Sequence, residues 1–202
     1  MKISIYDFDK TIYDGDSMVD FYRYCLVKKP ALVRYLPHQL FHIFLFKLGL
    51  ENRTQVKSNF FTFLKSIDDV DQYVADFWAR NEYKIKQWYK EKDHASAVIV
   101  SASPEFLLRP LLPKLGAQTL MATQLDKHTG HITGQNCYGV EKVARLGKEF
   151  SEMEVVEAYS DSLSDMPILE IAERKYIVKG KKILTLEAYR ALSKIHRLLL
   201  SL

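Results

Sequence analysis

Short apolar runs recur along this chain with one long gap after the first, and that spacing limits the fold more than any other feature. The runs cover residues 3–8, 97–100, 119–122, 155–159 and 176–178. Each is strand-sized and bounded by polar or turn-forming residues. Helical patterns fall between the later ones, at 106–115, 140–150 and 166–172. Strands alternating with helices predict an α/β fold built on a parallel sheet with right-handed crossovers. The segment DKHTGHITG, residues 126–134, reads as a small hairpin turning at 128–130.

The gap is informative in its own right. Residues 17–92 contain no convincing strand and read as helices over about 17–28, 31–48, 53–66 and 69–92, broken at Pro30 and around 49–52. A helical insert after the first strand lies above the C-terminal edge of the sheet, where open α/β folds bind ligands. Residues 17–92 are therefore a candidate cap, and 1–16 with 93–202 a candidate core.

Composition narrows the class. With 48% hydrophobic and 27% charged residues among 202, and only 8 Gly and 6 Pro, the chain is neither disordered nor collagenous. Cys25 and Cys137 stand far apart without a CxxC pattern, which excludes a disulfide framework or zinc ribbon and points to a reducing, cytoplasmic compartment. No secretory leader is expected, since residues 1–9 carry two carboxylates and no long apolar core. The most apolar stretch, 36–50, is interrupted by His38, His42 and Lys47. It is shorter than the roughly 20 residues a bilayer span needs. Net charge is +4, but residues 23–65 hold eight Lys/Arg against Glu51 alone, and residues 175–202 hold seven against Glu187 alone. An acidic body with two basic segments favours an anionic partner; two solvated basic faces are the alternative.

Four clusters carry candidate chemistry. Asp7 and Asp9 follow the first apolar run in D-x-D-x-T with Thr11. Two carboxylates at a strand end can share a hard cation such as Mg²⁺. One can attack phosphorus while the other handles a proton. Ser101 closes the second run ahead of Ala102 and Pro104, placing a hydroxyl beside a helix start that can receive phosphate oxygens. Lys142, in CYGVEK, can neutralise a phosphate or a nucleophilic carboxylate. Asp161 and Asp165 end the fourth run in S-D-x-x-x-D and can complete a cation's shell or orient the lysine. Taken singly, these also read as an acidic turn, a helix cap, a solvated lysine and an acidic loop.

Their order decides between the readings. D-x-D-x-T, then Ser, then Lys, then S-D-x-x-x-D resembles the four motifs of the haloacid dehalogenase superfamily, and the likeness covers nearly the whole chain. The resemblance implies a Rossmann-like parallel sheet flanked by helices with a helical C1 cap, and a Mg²⁺-dependent phosphatase. Asp7 would be the nucleophile that becomes an aspartyl-phosphate and Asp9 the general acid and base. Asp7, the Asp9 carbonyl and Asp161 would hold the metal, with Asp165 supporting the lysine or a metal-bound water. Ser101, Ala102, Thr11 and Lys142 would surround the phosphoryl group.

Asp9 separates the chain from the dehalogenases, which lack a carboxylate there. Asp16 stands where phosphoserine phosphatases usually carry a glutamate that grips the substrate amine, and this puts phosphoserine in doubt. YSDSLSDMPIL and the 137–146 stretch are similar to a bacterial branch of phosphoserine-phosphatase-like hydrolases that includes phosphatidylglycerophosphatase C. The expected partner is a phosphorylated small molecule or a phospholipid head group, with no nucleic acid. A non-catalytic anion or nucleic-acid binder on the same scaffold is the alternative from another class. The apolar stretch 40–46, edged by Arg34, Lys47 and Arg53, is read first as cap core packed against neighbouring helices. Peripheral contact with the inner membrane surface is the alternative. The amphipathic stretch 184–202 is expected to dock as a helix or cover the sheet edge.

Overall fold

A computed structural model describes residues 1–150 and 152–192. Six strands form one sheet: β1 (Lys2–Tyr6), β2 (Ala97–Pro104), β3 (Thr119–Thr123), β4 (Glu154–Ser160), β5 (Ala172–Lys179) and β6 (Lys182–Thr185). Their order is β3-β2-β1-β4-β5-β6, parallel except for the β5–β6 pair. The chain winds outward from β1 first to one side and then to the other. The switch point therefore lies between β1 and β4, where such sheets bind ligands beyond their C-terminal ends.

Alternation along the strands gives the sheet two apolar faces. Ile3, Ile5, Val98 and Val100 pack with Leu146, Ile168 and Leu169 on one side. Tyr6, Ala97, Ile99 and Tyr159 pack on the other with Phe21, Phe77 and Trp78 of the helical insert. The insert thus shares a core with the sheet.

Within 17–92 the longer helices are Ser17–Lys28, Leu36–Lys47, Arg53–Phe60 and Val70–Asn81, with one further turn of helix at Gln87–Lys90. Three start at side-chain caps: Asp16 accepts from Val19 N, Asp69 from Gln72 N, and Asn52 forms a capping box with Gln55. Pro30–Tyr35 and Phe61–Ser66 are 3₁₀ turns rather than α-helix. The expected helix over 69–92 ends at Asn81. The chain then extends so that Lys86 N donates to Ile12 O at 2.8 Å and receives the loop after β1, while Asp14 N donates to Lys84 O at 2.9 Å. Backbone pairing with that loop outweighs helix continuation. The stretch 106–115 is divided into short helical pieces, Glu105–Leu108, Arg109–Leu111 and Leu112–Leu115, the last two carrying Pro110 and Pro113 near their starts.

The 126–134 turn closes through Leu125 and Ile132, with Asp126 N on His131 O at 2.9 Å. Gly130 is required there: φ is +80°, and a Cβ would lie 2.3 Å from the Phe61 carbonyl oxygen. The 184–202 reading needs correction at its start. Residues 182–185 form the antiparallel edge strand β6, and the helix covers only Leu186–Ala191; residues 193–202 lie outside the described residues. The turn at Gly180, φ +56°, folds this edge back on β5. The cap-core reading of 40–46 also fails in part, because Phe41 and Phe44 are exposed.

Candidate active site

The C-terminal edge of β1 opens into a tight loop. Thr11, Ile12 and Tyr13 all direct backbone N–H groups at the Phe8 carbonyl, at 3.3, 2.9 and 2.9 Å. Lys10 takes φ +60° inside it, a left-handed conformation uncommon outside glycine. Buried Lys86 fastens the loop from outside, its Nζ donating to Lys10 O at 2.5 Å and Gly180 O at 2.8 Å. This fixes the two carboxylates just past the strand.

Asp7 is buried between two donors: Lys142 Nζ at 2.8 Å on Oδ1 and Thr11 Oγ1 at 3.2 Å on Oδ2. Lys142 comes from the first turn of helix Val140–Glu149, is 2% exposed, and also donates to Asp165 Oδ2 at 2.8 Å. Ser160, the last residue of β4, donates to that same Asp165 oxygen at 2.8 Å. A single ammonium is thus held between two buried carboxylates. Burial pushes the lysine down, but attraction from Asp7 and Asp165 outweighs it and leaves it well above its ordinary range. Burial pushes Asp7 up to about 7; Lys142 opposes this, while the charges of Asp165 and Asp161 add to it.

Asp9 occupies a different setting. Its Oδ1 accepts from Ser17 N at 2.6 Å, at the start of helix Ser17–Lys28, and its Oδ2 accepts from Ser103 Oγ at 2.5 Å. Burial, with the charge of Asp16, pushes it up to about 6 against those hydrogen bonds. Two neighbouring carboxylates therefore have distinct environments, one salt-bridged and one held by uncharged donors.

Asp7, Thr11, Lys142 and Asp165 are joined by direct hydrogen bonds, and Asp161 reaches Asp7 through its charge. Ser101 is 1% exposed, and its Oγ accepts from Ser103 N at 3.0 Å. Asp16 caps its helix through Oδ1, accepting from Val19 N at 3.0 Å. The Ala102 carbonyl is taken by Thr123 Oγ1 at 2.6 Å and Lys57 Nζ at 2.7 Å.

Three residues of the site escaped the sequence reading. Ser103 lies two residues beyond Ser101, so strand alternation in SASP offered a signal. Lys57 reaches across from helix Arg53–Phe60 to Ala102 O and to Asn136 Oδ1 at 2.9 Å. Burial pushes its ammonium down to about 8, against attraction from Asp9 and Asp16. Neither Lys57 nor Asn136 belongs to a local motif, so nothing in the sequence marked them.

No group of three or more His, Cys, Asp or Glu side chains placed to hold a metal occurs among the described residues. The edge instead offers two carboxylates, Asp7 and Asp161; the charge of Asp161 raises Asp7, while Lys179, Lys10 and Lys142 act on Asp161 in the opposite sense. Hard oxygen donors of this kind fit Mg²⁺, which commonly takes one or two carboxylates and completes its shell with water and phosphate oxygens. Of the other two residues expected there, the Asp9 side chain is occupied by Ser17 and Ser103, and Asp165 Oδ2 by Lys142 and Ser160.

The model of the haloacid dehalogenase-like hydrolases matches residues 5–170, which takes in every cluster above. The chain belongs to that family. Among curated relatives, the protein CicA of Caulobacter vibrioides is 37% identical over 95 residues, 43% of each chain. A probable phosphatase of Mycobacterium tuberculosis is 36% identical over 98 residues, 45% of this chain and 34% of that protein. The chain thus spans less than half the length of the curated relatives it matches. A phosphoserine phosphohydrolase-like protein from Francisella tularensis has the same fold, with TM-score 0.58 and 18% identity over 87% of this chain and 86% of that one.

Proposed function

We propose that this hydrolase cleaves phosphate monoesters through a covalent aspartyl-phosphate on Asp7. The observation that carries the reading is the pairing of two carboxylates with different surroundings at the switch point, Asp7 against Lys142 and Asp9 against Ser103 and Ser17. Enzymes separate nucleophile from acid in this way, by environment rather than residue type. The M. tuberculosis relative, a probable phosphatase, supports the same reaction class.

An Asp7 carboxylate oxygen attacks phosphorus as the ester P–O bond breaks. Asp9 gives its proton to the departing alkoxide. It then takes a proton from water, which attacks the aspartyl-phosphate, releasing inorganic phosphate and restoring the Asp7 carboxylate. Lys142 offsets charge on the incoming phosphate, and Asp165 with Ser160 keeps it aimed. Ser101 and the backbone around Ala102 would cradle phosphoryl oxygens. A bound Mg²⁺, held by Asp7, the Asp9 carbonyl and Asp161, would neutralise the repulsion between phosphate and carboxylate.

Residues 17–92 would serve as the cap over a core of 1–16 and 93–202. Lys57 projects from this insert to the site edge, and its charge suits a second anionic or polar group on the substrate. Asp16 is engaged as a helix cap, which weighs against an amine-gripping role and hence against phosphoserine. Between small soluble esters and a phospholipid head group, the exposed apolar helix Leu36–Lys47 favours the latter.

The test is phosphate release from a panel including phosphoserine, p-nitrophenyl phosphate and micellar phosphatidylglycerophosphate, with Mg²⁺ or EDTA, beside Asp7→Asn. Metal-dependent release that vanishes in Asp7→Asn is expected. Full release by Asp7→Asn would sink the mechanism.

A further inference from the structure

Helix Leu36–Lys47 is built inside out. Its one buried residue is a glutamine, Gln39, which accepts from Tyr22 OH at 2.6 Å and donates from Nε2 to Phe60 O at 2.9 Å. Several of its apolar side chains face outward instead. Leu40, Phe41 and Phe44, with Leu48 and Leu50 just beyond, are each more than half exposed. A soluble surface helix normally shows the reverse pattern. Contiguous exposed apolar groups of this kind mark an interaction surface.

Charge around the patch says what it meets. Arg34, Lys47 and Arg53 border it and are exposed. The only acid among residues 23–65, Glu51, is turned in against His42 Nδ1 at 2.5 Å. A second copy of this chain docking face to face would oppose basic rim to basic rim, whereas an anionic surface complements it. The helix is 12 residues long. At about 18 Å it falls well short of a bilayer core, so it suits lying in the interface rather than crossing it. No helix among the described residues is long and apolar enough to cross a membrane.

We propose that this helix and the turn after it dock the protein on an anionic lipid bilayer. Phe41 and Phe44 enter the acyl boundary while Arg34, Lys47 and Arg53 meet head-group phosphates. The surface is continuous with the candidate site. The Arg53 guanidinium lies 5.8 Å from the Phe46 ring and 4.4 Å from the Tyr138 ring, beside the 136–139 loop that Lys57 holds through Asn136. A docked molecule would hold the edge of its site near the lipid head groups.

The test is co-sedimentation of the full chain with phosphatidylcholine vesicles, with and without about one-third phosphatidylglycerol, alongside Phe41→Ser/Phe44→Ser. Binding is expected to need the anionic lipid and to weaken with salt. The double variant should lose about tenfold or more in affinity, since two apolar anchors no longer leave water on binding. Phe44→Trp should shift its emission to the blue on those vesicles. Turnover of soluble p-nitrophenyl phosphate serves as the folding control and should be unchanged in both variants, so loss of lipid binding and loss of catalysis are read separately. The proposal is overturned if the wild type ignores the anionic vesicles or if the double variant binds them undiminished. A concentration-dependent dimer abolished by the double variant, without vesicle binding, would overturn it in favour of self-association.

Discussion

Two regions of this molecule reverse the usual placement of residues in opposite senses. At the sheet edge, charges are inside: Asp7, Lys142 and Asp165 are all less than a tenth exposed. On helix Leu36–Lys47, Phe41 and Phe44 are outside and a glutamine is inside. Buried charges persist only when paired and hydrogen-bonded, and the edge meets that condition within its own chain. An exposed apolar face has no such internal partner. The buried charges of the first region are paired within the chain, and the apolar face of the second is, on our proposal, complementary to a partner outside it.

The largest effect that would break this comparison is on catalysis. Asp7→Asn is expected to lower phosphate release by at least about a thousandfold, as loss of a nucleophile usually does, with the Tm little reduced. Residual activity within a few fold of wild type would remove Asp7 from its role.

Next is the lysine. Lys142→Ala leaves Asp7 and Asp165 buried without their shared cation and should cost about 3–5 kcal/mol in urea unfolding. Adding Asp165→Asn should recover part of that loss. An additive double variant would show that the three groups do not act as a unit.

On the inverted helix, Gln39→Ala should cost about 1–3 kcal/mol, because it strands the buried Tyr22 hydroxyl and the Phe60 carbonyl. Phe41→Ser/Phe44→Ser should change stability by no more than about 0.5 kcal/mol, as expected for exposed positions. The polar residue of this helix would then matter more to folding than its two phenylalanines; equal losses would erase the contrast.

The subtlest effect lies between the regions, at Lys57. Its pKa is lowered to about 8, so the ammonium is present below that pH and lost above it. KM for an anionic substrate is therefore expected to rise as pH climbs through 8. Lys57→Met should show the high-KM behaviour at all pH values, with kcat less affected. A wild-type KM that is flat across this range would place Lys57 outside substrate recognition.

Much of the edge was legible in sequence because its residues are local to strand ends. D-x-D-x-T follows β1 directly and S-D-x-x-x-D follows β4, so a strand boundary is enough to place Asp7, Asp9, Asp161 and Asp165. Lys142 was legible through motif order alone. Ser103 was open to strand alternation, but Lys57 and Lys86 were not legible, since each acts on a partner 45 to 94 residues away. The break at Asn81 was hidden for the same reason, because the Ile12 carbonyl and Asp14 N–H that compete with helix continuation belong to a remote loop.

The sequence by itself determined an α/β chain with one long helical insert, acids at two strand ends and a basic, apolar segment within the insert. Periodicity and local turn chemistry encode these, and both act over a few residues. Only the tertiary structure decided which carboxylate faces the lysine and which faces the serines. It also decided that Phe41 and Phe44 face outward while Gln39 is buried. Both outcomes depend on which distant surfaces meet, and a buried polar group such as Gln39 can fix the orientation of a helix against the pull of its own apolar residues.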